Sequence, residues 1–196
     1  MQFLTALLLT LTPAAVLAAP ASNEQAQPRS VLPDGFYITE ILANGTLVHT
    51  SVNNPRALPI VEEASTLAAR AVSAEAPGGN KLSRRRTDCW GRNLDHAGVD
   101  RAVQKWKNYL AQYTTVNLST DGSQRYFQFI DSAMTVYYCV NRKNSYGSLS
   151  LDDFNYALRQ MDQKCRAYEA SFFQWDGSVE IVGKATLNDR VCIGDS

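Results

Sequence analysis

The sequence predicts a small disulfide-stabilised α+β sandwich: an antiparallel sheet with two helices packed on one face. Three observations predict it. All four cysteines and all three tryptophans fall in residues 87–196. Two segments in that region repeat apolar residues at helical spacing. The stretches between and after them are rich in β-branched and aromatic residues and are bounded by turn residues.

Taken in chain order, the first element is not part of the fold. Residues 1–18 read as a signal peptide, with an apolar run from Phe3 to Leu11 and then Val16-Leu17-Ala18 before Ala19, which fits the small-residue rule for cleavage. The run is shorter than the roughly 20 residues a permanent membrane anchor needs. The chain is therefore expected to be secreted and extracellular, without a permanent anchor.

Residues 19–86 read as a pro-segment. They hold neither cysteine nor tryptophan and end in "VEEASTLAARAVSAEAPGGNKLSRRR", a composition suited to a flexible, cleavable connection. Within them, "GFYITEILANGTLVHTSV" predicts a β-hairpin around Asn44-Gly45, because both residues tolerate positive φ. A lone hairpin is marginal in water, so it needs a sheet to join. The sequon Asn44-Gly45-Thr46 marks Asn44 as a candidate glycosylation site. Arg84, Arg85 and Arg86 read as a processing site for a kexin-type protease, cut after Arg85 or Arg86, in preference to an uncut solvated linker or a retained cationic patch.

Residues 87–196 read as the mature domain. "LDHAGVDRAVQKWKNYLAQY" places Val99, Val103, Trp106, Leu110 and Tyr113 on one helical face. "QRYFQFIDSAMTVYYCVN" predicts two strands broken near Asp131-Ser132. Leu151, Phe154, Leu158, Met161, Cys165, Tyr168 and Phe172 then recur at steps of three and four, with Ser150 as N-cap and Asp153 approximating a capping box. An Asp176-Gly177 turn leads into a last strand over Val179–Gly183. With Cys165 on the buried stripe beside a sheet carrying Cys139, a 139–165 bridge is favoured, leaving Cys89 to pair with Cys192. Pairings 89–165 with 139–192, or 89–139 with 165–192, stay open.

Composition excludes some functions. Nineteen basic residues against nineteen acidic ones give no general attraction to polyanions, so no nucleic-acid partner is expected. Residues 87–196 hold one histidine, His96, and Asp95 beside it reads as a helix cap; with oxidised cysteines this supplies no metal site, and no cofactor is expected. There is no Gly-x-Ser-x-Gly elbow or Gly-rich phosphate loop. A ribonuclease would have to draw Glu180, His96, Arg125 and Arg190 together, and nothing in their spacing does so. Catalysis is accordingly disfavoured and no catalytic residue is assigned. Binding is the better lead. Tyr137 and Tyr138 alternate across one strand, and "RKNSYG" beside them adds Arg142, Lys143 and Tyr146, a candidate surface for a protein or glycan. Asn117 heads a second sequon. A homodimer through an open strand edge stays open.

The signal peptide, the Ala-rich pro-segment, "RRR" and a short domain opening on "DCWG" resemble small secreted effector-type proteins of filamentous fungi. "LDHAGVDRAVQKW", "YYCVN" and "FNYALRQMDQKCRAYEASFFQWDGSVEIVG" are similar to such proteins as well. The order of helices and strands is also loosely similar to the α/β sandwiches of fungal killer toxins. The resemblance implies binding at the interface with a host or competing organism, with cytotoxic or ribonuclease-like activity as the alternatives.

Overall fold

The structure is a computed structural model and describes residues 32–63 and 86–192. The expected signal peptide at residues 1–18, most of the segment between residues 63 and 86, and Arg84 and Arg85 lie outside the described residues. Among the described residues, ten strands and two helices follow one another: β1 (Gly35–Ile41), β2 (Leu47–Ser51), β3 (Ile60–Glu62), β4 (Arg86–Asn93), α1 (His96–Tyr113), β5 (Thr115–Ser119), β6 (Gln124–Asp131), β7 (Met134–Val140), β8 (Tyr146–Ser150), α2 (Leu151–Lys164), β9 (Glu169–Gln174) and β10 (Glu180–Thr186). Eight strands form one sheet in the order β3-β2-β1-β6-β7-β10-β9-β4, every neighbouring pair antiparallel, while β5 and β8 form a separate ribbon.

The predicted hairpin is present, and its partner is β6. At its turn Leu42 O accepts from the Gly45 N–H at 2.8 Å, and Gly45 takes φ 82°, the conformation for which glycine is suited. β1 then pairs with β6 along its whole length, from Gly35 opposite Ile130 to Ile41 opposite Gln124. Residues 32–63 thus supply three strands of the same sheet as residues 86–192.

The break at Asp131-Ser132 is a two-residue turn, with φ of 50° at Ser132 and 62° at Ala133. Two consecutive left-handed residues match the twist of the flanking strands, but neither is glycine. Ser132 is held by its N–H donating to Asp34 Oδ1 at 2.8 Å, whereas the Ala133 side chain is exposed. Ala133→Gly is therefore expected to raise stability by about 1 kcal/mol, after offsetting the greater freedom of glycine in the unfolded chain. A urea midpoint that falls instead would show that Ala133 is not strained.

Both helices share one hydrophobic cluster with the sheet. Trp106 of α1 and Phe154 and Met161 of α2 meet Phe36, Phe129, Val136, Tyr138, Phe173 and Val182, and Val116, Leu118 and Leu149 of the ribbon join them. Trp106 is fully buried and donates its Nε1–H to Val136 O at 2.7 Å. The capping box at α2 is formed by Ser150 and Asp153 as read, but the helix ends at Lys164. Cys165 caps it, Tyr168 leaves to stack on His96 with ring centroids 3.8 Å apart, and Phe172 lies on β9. The helical spacing of Tyr168 and Phe172 is a coincidence of an aromatic strand following a helix directly.

The favoured cysteine pairing is corrected. The bridges join Cys89 to Cys165 and Cys139 to Cys192, with Cα–Cα distances of 5.6 and 6.0 Å. The reason is the two-residue period of a strand. Tyr138 faces the helices, so its neighbour Cys139 faces away from them and cannot reach a cysteine at the end of α2. On that second face the sheet is covered by residues 187–192, whose Val191 and Cys192 pack on Tyr126, Tyr137, Ile181 and Ala185.

A charged cluster ties α1 to the end of β6. Asp131 accepts from Arg101 Nε at 2.8 Å and Lys105 Nζ at 2.6 Å. Burial pushes its carboxyl up, but the hydrogen bonds from Arg101, Lys105 and Ser132 and the Lys105 charge outweigh that and hold it at about 2. A carboxyl depressed in the folded state stabilises above its unfolded pKa of roughly 3.9 and loses that contribution as pH falls toward the folded value. Asp131→Asn is expected to cost about 2 kcal/mol near neutrality. The gap from the parent should close between about pH 4 and pH 2. Urea titrations of both proteins across that range check it; a gap that does not change with pH would contradict the assignment.

Candidate functional site

The predicted binding surface is only partly available. Tyr137 and Tyr138 point to opposite faces, as read, but both faces are covered, and their exposures are 1% and 0%. Burial is the leading cause that pushes both phenols up. Tyr138 is a structural tie: its hydroxyl donates to Glu180 Oε1 at 2.6 Å, and the Ser148 N–H donates to the same oxygen at 2.8 Å. Glu180 thereby locks β8 of the ribbon to the sheet. Arg142 and Lys143, on the connection into β8, and Tyr146, its first residue, do lie at the surface, and Tyr146 is 64% exposed.

The ribonuclease constellation is not brought together. His96, at the start of α1, stacks on Tyr168, next to the end of β9 that pairs with Lys184. Glu180 begins the other end of β10. Arg125 faces Glu40 at 3.5 Å on β1, and Arg190 sits on the covering segment. Asp95 caps α1, accepting from the Gly98 N–H at 2.6 Å. Glu169 is likewise structural, held below the usual carboxylate range first by the Arg166 backbone N–H and also by the Gly91 N–H and the Arg166 guanidinium, against burial.

At the processing run, Arg86 opens β4, pairing with Gln174; its guanidinium lies 5.4 Å from the Phe172 ring centre and pairs with Asp88. Thr87 beyond it is buried and paired with Phe173. Both sequon asparagines are exposed: Asn44 in the β1–β2 turn and Asn117 on the outward side of β5.

A site absent from the sequence reading lies on the second face, at the seam between residues 32–63 and the rest. A cavity of about 80 Å³ is lined there by His49 and Glu62 from one side and by Tyr126, Gln128, Thr135 and Arg190 from the other. Thr135 Oγ1 donates to Gln128 Oε1 at 3.0 Å, and Gln128 Nε2 donates to Thr39 Oγ1 at 2.8 Å. The Thr39 hydroxyl lies 2.8 Å from His49 Nδ1. On the other side of the ring, His49 Nε2 lies 3.5 Å from Glu62 Oε2. His49 is 2% exposed, and its Nε2 has no hydrogen-bond partner within normal geometry. The signal was available in "LVHTS", a strand whose alternation turns His49 inward. The composition of residues 19–86, without cysteine or tryptophan, gives that alternation no core to face.

A second groove, about 320 Å³ between α1 and α2, is lined by paired charges: Lys184 Nζ lies 2.5 Å from Asp162 Oδ1, and the Tyr168 hydroxyl 3.2 Å from Asp100. Among the described residues no three or more His, Cys, Asp or Glu side chains cluster as metal ligands, and no helix is long and apolar enough to cross a membrane. No family model matches the chain, and no curated protein or solved structure matches it either.

Proposed function

We propose that the chain is a secreted precursor, cut by a kexin-type protease in the Arg84-Arg85-Arg86 run, whose folded body acts by binding a protein or glycan at the interface with a host or competing organism. The observation that carries the processing reading is where the run falls. It ends at the first residue of an edge strand, β4, while the strand before it, β3, is at the other edge of the sheet. The two strands joined by the cut connection, β3 and β4, are not hydrogen-bonded to each other, so the connection itself belongs to no strand pair. Both disulfides fit the oxidising compartment that secretion provides. Cutting after Arg85 suits the geometry better than cutting after Arg86, because Arg86 and Thr87 are already engaged in β4.

The binding reading is supported by exposed Tyr146 with Arg142 and Lys143 next to it, an aromatic and cationic group of the kind that contributes most at interfaces. Intact mass of the secreted protein tests the processing: a product starting at Arg86 is expected, and one continuous chain from residue 19 to 196 would sink it. A glycan array and binding of labelled protein to host cell surfaces test the second part. Tyr146→Ala with Arg142→Glu and Lys143→Glu should weaken binding at least tenfold while leaving the melting temperature unchanged. Cleavage of RNA, or killing of cells at low concentration by the purified protein, would overturn binding as the primary activity.

A further inference from the structure

We propose that residues 32–63 remain in the mature protein as a second, non-covalently bound chain, so that the cut produces a two-chain molecule instead of releasing a pro-piece. This rests on the processing reading above. It follows from what β1 does in the sheet. β1 is an interior strand, flanked by β2 and β6, and seven of its residues pair with β6. Its Phe36 is fully buried against the helices: the ring stacks on Phe129 at 4.0 Å and meets Tyr109 and Trp106 edge-on at 4.6 and 5.3 Å. Departure of the hairpin would open a hole in the main core and leave the whole edge of β6 without partners, a state folded proteins avoid.

The opposite face of the same strand is held by polar groups. Thr39 and His49 continue the buried hydrogen-bond chain that begins on Thr135 and Gln128, and Asp34 accepts from the Ser132 N–H. Unlike a generic apolar contact, this chain has one register, because a shift of one residue would turn Thr39 away from Gln128 and Phe36 out of the core. The surface is therefore built for this one partner.

Nothing covalent is required. Both disulfides lie within residues 89–192, and neither reaches residues 32–63. The connection between β3 and β4 has to pass from one edge of the sheet to the other, about 34 Å for seven strand spacings. The 23 residue steps from Glu63 to Arg86 can span up to about 80 Å, so the linker is long enough to do so without tension. The cavity around His49 belongs to both pieces and exists only while they stay together.

The test uses the chain without residues 1–18, carrying a site-specific protease recognition sequence in the linker at residues 73–79. The folded protein is cut to completion and passed over a sizing column in native buffer, and each peak is weighed under denaturing conditions. One peak containing both fragments, separable only in denaturant, is expected. A peak of the C-terminal fragment alone, or its precipitation with the N-terminal fragment left in solution, would overturn the proposal. Exchange of an isotope-labelled N-terminal fragment into the cut protein gives the affinity, and Phe36→Ala should weaken it about 100-fold or more. Should Phe36→Ala fail to fold, Thr39→Val provides the milder variant, with a weakening of about tenfold; no weakening in either would count against the seam. Because the cut is engineered, this result stands apart from the intact mass of the secreted protein, which alone decides whether the natural cut occurs.

Discussion

Replacing Cys139 and Cys192 together by alanine is expected to lower the unfolding free energy by about 4 kcal/mol, from the chain entropy regained when a loop of this length is no longer closed. The bridge encloses 53 residues of sequence separation and is buried at both ends. It fastens residues 187–192 across the face of the sheet that the helices leave bare. Local consequences should exceed the global one. Arg190 is exposed on that segment, and cleavage after it by trypsin should accelerate sharply in the double variant. The matching pair, Cys89→Ala with Cys165→Ala, encloses 76 residues and should cost a similar amount. It holds the edge strand β4 to the end of α2, so Arg190 should stay protected under native conditions. Equal exposure of Arg190 in both variants would show that the segment is not fastened by Cys192.

Gly183→Ala is expected to cost about 3 kcal/mol, at the upper end of overpacking penalties, and to lower the melting temperature by about 10 °C. Gly183 on β10 stands directly opposite Tyr137 on β7, and a Cβ there would lie 2.3 Å from the Tyr137 Cζ and hydroxyl oxygen. Tyr137 has nowhere simple to go, since its ring is buried beneath the covering segment. A glycine with an aromatic ring lying across it is a matched pair in a sheet. In a Tyr137→Ala background the same substitution should cost less than about 1 kcal/mol, and thermal unfolding of the four proteins in the cycle measures the coupling. Additive losses would mean that the ring is not what meets the new methyl group.

What was legible in the sequence was local. The Asn44-Gly45 turn, the break after Asp131 and the Ser150–Asp153 cap depend on residues within four positions of one another, and each is present in the structure. The strands "TDCWGRN", "TVNLS" and "YGSLS" were not legible, because they are rich in polar residues and glycine and are strands only by virtue of their neighbours. The disulfide pairing turned on which face of β7 is covered by helices and which by the chain's own end. Periodicity says that Tyr138 and Cys139 differ; it does not say what lies over each. The His49 seam was hidden for another reason. Its two halves are far apart in sequence, with Thr39 and Gln128 separated by 89 positions, and a reading that divides the chain at the arginines places them in different molecules.

The placement of β1 also sets an order of events. The hairpin is synthesised first, yet its partner β6 lies beyond the linker, β4, α1 and β5. Such a non-local pairing forms slowly, since loop closure has to precede the contacts that reward it. Until then the linker is a tether that keeps the hairpin at an effective concentration of roughly millimolar near the strand it must join. Severed before closure, the two pieces would have to find each other by diffusion, with β6 bare and prone to pair with other chains. Severed after closure, the tether has no further work to do. The value of the connection between Glu63 and Arg86 is therefore a matter of timing, and a cut that is harmless late is damaging early.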